Sequence, residues 1–424
     1  MPAVVRSSGI SLKFANPGKL ERFAAFERDY RQVVQAVIDH AWINGLRIDD
    51  YVFDVGKDLL RVPNFVPKHC LPELNTQLSG RAMKCASTQA MAMLKAAVKR
   101  RSKDLHWLSK LDGTPVPAKL EERLKRPLVK PIAAQAKPEL NSLCANIVWS
   151  STTNFDGWLL LRSLGKAYGK LAMPLKRHRH FNKLASGKQL SSVQVDVDRV
   201  TVRFSTEPKV NNGTRTVGAD SGMKTVLSLS DGQTTKDVDE HGHSLSSICE
   251  GLSRKRKGSR AFGKAVDHRT NFINRSINAL DLSGIGRINL EKIVNINCGR
   301  RAARRMTAWT STSIRDKVIR LGEERNVSVV LQASAYRSQR CSKCGNVRRA
   351  NRKGKIYSCL NCGFIGDADI NAACNHEQNL PKVPRHLFRT KLNLGKGFLW
   401  LPSGFFSLSG AELTVPLSLQ QAAT

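Results

Sequence analysis

Two cysteine pairs, Cys341-x2-Cys344 and Cys359-x2-Cys362, stand fourteen residues apart near the end of the chain. Four thiolates from two short knuckles satisfy a tetrahedral Zn2+ ion and leave it no open position, so this spacing predicts a structural metal rather than a catalytic one. Gly345 and Gly363 each follow the second cysteine of a pair, where a knuckle backbone favours positive φ. Directly behind the ribbon come two carboxylates, Asp367 and Asp369, in DADINAACN. Two more sit in apolar surroundings: Asp220 ends the run RTVGAD, and Glu291 lies in RINLEKI. A turn cap or an ion pair would account for any one of these acids taken alone.

Taken together, Asp220, Glu291 and Asp369 predict sharper chemistry. Three carboxylates from a first strand, a later strand and a final helix are how an RNase H-like fold builds a two-metal nuclease site. A pair of Mg2+ ions needs bridging hard oxygen ligands. Such a pair activates a water and stabilises the leaving 3′ oxygen of a phosphodiester. Other constellations carry less. GSRAFGKA (258–265) has the GxxxxGK spacing of a phosphate loop, but Ala265 replaces the Mg2+-binding hydroxyl and no buried strand precedes it. No Ser-His-Asp or Cys-His arrangement stands out, and the histidines read as lacking ligand spacing with one another.

The composition sets the partner class. Against 34 Asp and Glu the chain carries 69 Lys and Arg, a formal net charge of +35 and a pI near 10.3. A solvated surface explains a few charges of imbalance, whereas this excess repels itself unless a polyanion neutralises it. Nucleic acid is the expected polyanion. No apolar run reaches membrane-spanning length, the N-terminus has no secretory core, and ten cysteines in 424 residues are no disulfide scaffold. A reduced, intracellular, cytoplasmic protein is expected. Cys70, Cys85, Cys144, Cys249, Cys298 and Cys374 read as ordinary buried thiols.

Several elements must position these groups. GISLKFA (9–15) reads as a strand. Apolar residues at three- and four-residue spacing predict helices over 17–46 and about 74–105, and the Pro- and Lys-rich stretch 110–140 reads as a connection. From 142 to 205 the period becomes two: WLLLRSL, GKLAMPL and the strand pair VQVDVDRVTVRF, turning at Asp196–Arg199, predict a small antiparallel unit. KRHRHF, in the same stretch, reads as a solvated loop or a phosphate-contacting edge. From Thr214 come strand, tight turn and strand to Asp231-Gly232, then a basic helical region over 244–280. RINLEKIV follows as a strand, then a long helix over 299–326 with Arg300, Arg301, Arg304 and Arg305 near its start. VSVVLQAS is a strand, and a helix begins near Asp369. After Asn375 no period is clear, and no internal repeat is found.

At these residues the chain resembles the transposon-encoded TnpB proteins. TVGADSGMKTVLSLSDG resembles their first RuvC motif and INLEKI their second. YRSQRCSKCG, SCLNCGF and DADINAACN are similar to their zinc finger with the third RuvC motif behind it. LSRKRKGSRAFGKA and HRTNFINRSIN resemble the basic helical stretch between motifs one and two. The likeness is close over 214–376 and holds in outline over 1–213; compact type V CRISPR effectors share the motifs.

The resemblance implies an α+β multidomain protein. Its parts would be a first wedge strand (1–15), a helical recognition module with linker (16–140) and a small antiparallel β wedge domain (141–213). An RNase H-like (RuvC) α/β nuclease domain (214–340), an inserted four-cysteine zinc ribbon (341–362), the third-motif helix (363–380) and a tail (381–424) would follow. It implies an Mg2+-dependent, RNA-guided DNA endonuclease whose partners are a guide RNA and a double-stranded DNA target. Asp220, Glu291 and Asp369 are the implied metal-binding acids. Asp369 is preferred because the family's third acid stands directly before x-Asn-Ala-Ala, leaving Asp367 to cap the helix. Backbone contacts dominate affinity for a guided heteroduplex. Arg254, Lys255, Arg256, Lys257, Arg300, Arg301, Arg304 and Arg305 are expected channel walls, and Arg348, Arg349, Arg352, Lys353 and Lys355 expected contacts on the ribbon. An RNA-guided repressor that no longer cuts should have lost an acid of the triad. A plain zinc-ribbon accessory protein would leave the carboxylates unexplained.

Overall fold

The structure, a computed structural model, describes residues 3–44, 53–54, 59–60, 74–109, 116, 118–126, 129–150, 152–293 and 311–413. They divide into two bodies, residues 3–206 and residue 207 onward. Arg300, Arg301, Arg304, Arg305, Cys70 and Cys298 lie outside the described residues.

In the first body, β1 (Val4–Ser11) precedes α1 (Pro17–Asn44), a short hairpin of β2 (Phe53–Asp54) and β3 (Leu59–Leu60), and α2 (Gly80–Ser109). The stripe of Phe23, Phe26, Tyr30, Val33, Val34, Val37 and Ile38 on α1 is buried, facing Ala82, Ala86, Ala90, Met91 and Leu94 of α2 in one core. α2 starts later than the apolar pattern does, because the Ser79 hydroxyl accepts the Ala82 N–H at 3.1 Å and caps it there. A short helix, α3 (Ala118–Lys125), interrupts the stretch expected to be plain connection.

Next come β4 (Glu139–Leu140), β5 (Ala145–Trp149), β6 (Gly157–Leu161), β7 (Leu171–Leu175), α4 (Arg179–Leu184), β8 (Lys188–Val195) and β9 (Arg199–Thr206). The alternating run VQVDVDRVTVRF forms the β8–β9 hairpin. Asp196 Oδ1 closes its turn by accepting the N–H groups of Asp198 and Arg199 at 2.8 Å each. β1 pairs with β9 along its whole length, giving the antiparallel order β1-β9-β8-β4, and β5, β6 and β7 form a separate three-stranded meander. In KRHRHF, Lys176, His178, Arg179 and His180 are exposed as an edge would be, while His178 caps α4 and Phe181 is fully buried, in edge-to-face contact with Phe204. The aromatic residue there belongs to the core.

The second body is a mixed sheet with helices on both faces. β10 (Arg215–Ser221) turns into β11 (Leu227–Leu229), antiparallel to it. The basic helical region splits into α5 (Leu245–Ser253) and α6 (Arg260–Asn278), because Gly258 at φ +81° breaks the chain and Ser259 caps a new helix. The phosphate-loop look-alike thus lies mostly inside α6. β12 (Ile285–Lys292) runs parallel to β10, and after α7 (Ser311–Arg325) β13 (Ser328–Ala333) runs parallel to β12. The sheet order is β11-β10-β12-β13.

Strand period two then sorts the side chains. Val217, Ala219, Ile288 and Leu290 point into a core with Ile248, Ile273, Ile277, Ile314 and Val318 of α5, α6 and α7. Gly218 and Asp220, with Asn289 and Glu291, therefore face the other way, where α8 (Ala368–Glu377) covers the sheet. At Gly218 a methyl group would fall on the Ala373 carbonyl oxygen and the Glu377 amide of α8. Gly218→Ala is therefore expected to cost roughly 3 kcal/mol, because backbone rather than a side chain must yield. Denaturant unfolding checks this; a change below about 0.5 kcal/mol, the range of ordinary surface substitutions, would mean α8 does not press on β10.

Between β13 and α8 the chain makes the cysteine ribbon. β14 (Asn346–Val347) belongs to the first knuckle, and β15 (Arg352–Lys353), β16 (Ile356–Ser358) and β17 (Ile365–Asp367) make a small sheet leading straight into α8. The tail without visible period is structured through 413. After α9 (Arg385–Thr390), β18 (Phe398–Leu401) and β19 (Gly404–Phe406) add to β14 and bury Phe398, Trp400 and Phe405 against Val347 and Leu387.

Candidate active site

Asp220 and Glu291 stand at the C-terminal ends of neighbouring parallel strands, one step past the paired Ala219 and Leu290. This is where open α/β sheets place their ligands. Asp369 arrives from the first turn of α8. Asp367 caps that helix instead: its Oδ1 accepts the N–H groups of Asp369 and Ile370 at 2.8 and 2.9 Å. Asp220 and Asp369 are buried, and the Ser221 hydroxyl donates to Glu291 at 3.3 Å.

Such a gathering of acids is electrostatically expensive. Burial, then the charges of Glu291 and Asp369, push the Asp220 carboxyl well above the usual carboxylate range. Burial raises Glu291 to about 7. Arg352 offsets part of this, with its guanidinium 2.7 Å from Asp369 Oδ1, and Lys355 lies 3.0 Å from Asp369 Oδ2. The same ammonium donates to Thr225, in the turn between β10 and β11. These two ribbon cations, expected to contact nucleic acid, hold the third acid.

His376, the penultimate residue of α8, was not expected. It is almost fully buried, with Nε2 4.0 Å from Asp220 Oδ1. Burial and then Arg337 push its pKa down to about 3, so it faces Asp220 as a neutral imidazole rather than an ion-pair partner. Ligand atoms of Asp220, Glu291 and His376 lie within 4.8 Å of one another; Asp369, held by its two cations, is not in that closest group. Only a close view of α8 reveals His376, since its position follows from the i, i+7 spacing to Asp369 on one helix face.

The pKa of Glu291 has a testable sign. Between its ordinary 4.5 and about 7 the folded chain keeps a proton that the unfolded chain has lost. Stability from this group therefore falls as pH rises through that window, and the penalty persists above it. In magnesium-free buffer, Glu291→Gln should be more stable than the parent at pH 8 by about 3 kcal/mol, with the gap closing towards pH 4.5. Unfolding curves at both pH values measure it, and a gap independent of pH would refute the buried-acid reading.

The four ribbon cysteines come together as their spacing predicts. Cys341 and Cys362 sulfurs are 3.7 Å apart, Cys344 and Cys359 sulfurs 3.6 Å, and all four lie within 4.8 Å of one another. Those separations are far beyond a disulfide bond and match the roughly 3.8 Å edge of a tetrahedron with Zn–S bonds of about 2.3 Å. Gly345 and Gly363 take φ of +78° and +74°. Of the scattered cysteines, Cys85, Cys144 and Cys249 are buried and Cys374 is half-buried.

α8 is stitched to the segment between β13 and the first knuckle of the ribbon. Asn371 Oδ1 accepts the Ser342 N–H at 2.9 Å, and its amide donates to the Arg340 carbonyl at 2.8 Å. One turn on, the Asn375 amide donates to the carbonyls of Arg337 and Arg340. The guanidinium groups of Arg337 and Arg340 return bonds to Asn375, and Arg340 also reaches the Trp400 carbonyl at 2.8 Å. The asparagines of DINAACN thus tie three segments together, including the tail.

Of the expected nucleic-acid residues, Arg254, Arg256 and Lys257 are exposed and Lys255 half-buried in the α5–α6 connection, with Arg254 2.5 Å from Glu250. Arg349 is exposed on the ribbon and Arg348 half-buried.

Residues 312–376 match the sequence model of the Cas12f1-like TNB domain. A CRISPR-associated endodeoxyribonuclease Cas12f1 of Sulfoacidibacillus thermotolerans is 39% identical over 94 residues, 22% of this chain and 22% of that protein. A TnpB-like protein of Aquifex aeolicus is 32% identical over 75 residues, 17% of this chain and 24% of its own. Over these segments the chain is similar to TnpB and Cas12f proteins. The matched segments span under a quarter of either relative's length. Over the whole fold, the chain is similar to a Cas12f1 solved by cryo-EM with sgRNA and target DNA. That match has a TM-score of 0.50 at 14% identity and covers 86% of this chain and 83% of the other. The matched region runs from α7 through the cysteine ribbon to His376 of α8, so it contains both the thiolate cluster and Asp369. No described helix is long and apolar enough to cross a membrane.

Proposed function

We propose that this chain is an RNA-guided DNA endonuclease that hydrolyses phosphodiesters at one acidic site, using two Mg2+ ions held by Asp220, Glu291 and Asp369. The observation that carries the reading is the convergence of three carboxylates from β10, β12 and α8 within a chain of net charge +35. The relatives' names, an endodeoxyribonuclease and a Cas12f1 in complex with sgRNA and target DNA, support the activity and the partners. Residues 214–340 and 363–380 then act as the RuvC-like nuclease and 341–362 as its zinc ribbon. Residues 141–213 with the first strand serve as the wedge and 16–140 as the recognition module.

The donor set fits hard divalent cations: burial favours protonation of Asp220 and Glu291, neighbouring acids add to this at Asp220, and nearby positive charge relieves it. Bound there, the Mg2+ pair supplies an activated water and a stabilised leaving oxygen. The chain's own residues do the rest. Asp220 and Glu291 hold fixed positions because their strands are hydrogen-bonded neighbours. Asp369 is aimed by the Asp367 cap and the β17 entry. Neutral His376, almost fully buried beside Asp220, adds no charge there. Arg352 and Lys355 sit where they can hand Asp369 over and meet a phosphate. The exposed cations of the α5–α6 connection suit backbone contacts.

The test is to purify the protein with its bound RNA, sequence that RNA, and supply DNA matching its variable end. Cleavage in Mg2+ that depends on the RNA match is expected. Cleavage indifferent to RNA would defeat the guided reading. Tight guided binding with no cutting in Mg2+ or Mn2+ would instead favour a repressor.

A further inference from the structure

Outside both sites, the segment Val238–Ser244 forms a tight hairpin on the surface of the second body. Val238 and Ser244 bridge, Asp239 N–H donates to His243 O at 2.9 Å, and Gly242 N–H donates to Asp239 O at 3.1 Å. Gly242 takes φ +78°, as the last residue of a three-residue hairpin loop requires. Both guanidinium Nη atoms of Arg275 on α6 grip the Glu240 carboxylate at the tip. His268 stands seven residues before Arg275, two turns along the same face of α6. The hairpin is thereby laid against the helix with His268 beside its mouth.

We propose that Asp239, His243 and His268 form a metal site for a borderline divalent transition ion such as Zn2+, clipping this hairpin to α6. Asp239 Oδ1 accepts the backbone N–H groups of His241 and His243 at 2.9 Å each, which fixes the carboxylate and turns Oδ2 towards the imidazoles. Oδ2 lies 3.6 Å from His243 Nδ1 and 3.8 Å from His268 Nε2, and the three ligand atoms are all within 4.8 Å of one another.

These spacings are too long for hydrogen bonds. They lie near the roughly 3.3 Å edge of a tetrahedron whose Zn–N and Zn–O bonds are about 2.0 Å. A plain Asp–His ion pair would close to about 2.8 Å. Two imidazoles and one carboxylate favour zinc-like ions over Mg2+ or Ca2+. The imidazole side chains are 51% and 44% exposed, so the fourth position opens to water. The Asp239 side chain, at 11%, is the inner wall. The histidines read from sequence as unrelated because the third ligand comes from a helix 25 residues after His243. Three protein ligands with a water in the fourth place also describe catalytic zinc. Here the shallow, exposed setting and the helix–hairpin seam point to a structural clip. The inference is independent of the nuclease reading.

The test uses untagged full-length protein in equilibrium dialysis against Zn2+, with thermal melts alongside. The parent should take up one zinc equivalent beyond the cysteine-bound one and melt higher for it. His268→Ala and Asp239→Asn should weaken that additional equivalent by about 100-fold or more and lose the zinc-dependent rise, while Asp220→Asn keeps both. His268 is a partly exposed helix residue, so zinc-free melting of His268→Ala like the parent's separates ligand loss from misfolding. The proposal is overturned if the parent binds only the cysteine-held ion. It is equally overturned if the additional equivalent survives His268→Ala, or if it disappears with Asp220→Asn instead.

Discussion

Asp220→Ala should abolish guided DNA cleavage, by about 1,000-fold or more, while RNA and DNA binding stay within about twofold. The reason lies in what the side chain does at rest. It is a buried acid whose ionisation is opposed by its surroundings, and no hydrogen bond of the fold depends on it among the described residues. Alanine removes an unfavourable buried charge and leaves the β10 backbone in place. In magnesium-free buffer the variant should therefore melt at or above the parent's temperature. This opposite movement of stability and activity is the informative part. A variant that loses cutting because it unfolds would lose both. Single-turnover cleavage with the bound guide, set beside thermal melts with and without Mg2+, measures the two together. The parent should gain stability from Mg2+ and Asp220→Ala should not. Undiminished cleavage would remove Asp220 from the chemistry and with it the triad.

How far the acids could be read from sequence depended on local pattern. RTVGAD and RINLEKI are short apolar runs carrying a carboxylate at or near the end, and strand period two alone puts Asp220 beside Gly218 and opposite the hydrophobic core. The CxxC pairs were legible because a metal demands fixed spacing, and Asp367 because a cap acts within three residues. His376 was missed although it stands i, i+7 from Asp369, because that spacing becomes a signal only once the Gly218 notch shows that this face of α8 meets β10. Arg352 and Lys355 read as surface cations, since lysine and arginine usually are. Their role depends on β15 and β16, strands of two and three residues, too short for any periodic signal. The tail failed for the same reason. FLWL and GFF are short, Gly-broken strands whose partner, β14, lies about fifty residues earlier, and such pairing leaves no local trace. The Asn371 and Asn375 stitches explain the motif's polar residues better than helix propensity does, because asparagine in a helix interior is otherwise mildly unfavourable.

The ribbon is thus more than a neighbour of the acids. Cys359→Ser should lose the cysteine-bound zinc and lower cleavage by about 100-fold, although no cysteine touches the acidic pocket. Cys359 is buried, in one cluster with Cys341, Tyr357 and Ala368, the first residue of α8. β16, which ends just before it, pairs with β17, so Tyr357 faces Gly366 and Ile356 faces Asp367. Loosening the knuckle frees this small sheet. That in turn releases Arg352 and Lys355 from Asp369 and unfixes the Asp367 cap that aims it. The core of α5, α6, α7 and the sheet shares no residue with the ribbon cluster, so the rest of the body should stay folded. The expected result is a local defect with a catalytic consequence: proteolysis confined to residues 341–367, a small change in global melting, and a large loss of kcat with guide binding retained. Adding back Zn2+ should not restore the variant, because three thiolates and a serine hydroxyl hold the ion poorly. Full cutting by zinc-free Cys359→Ser protein would show instead that α8 holds Asp369 unaided, through the asparagine bonds to Arg337, Arg340 and Ser342.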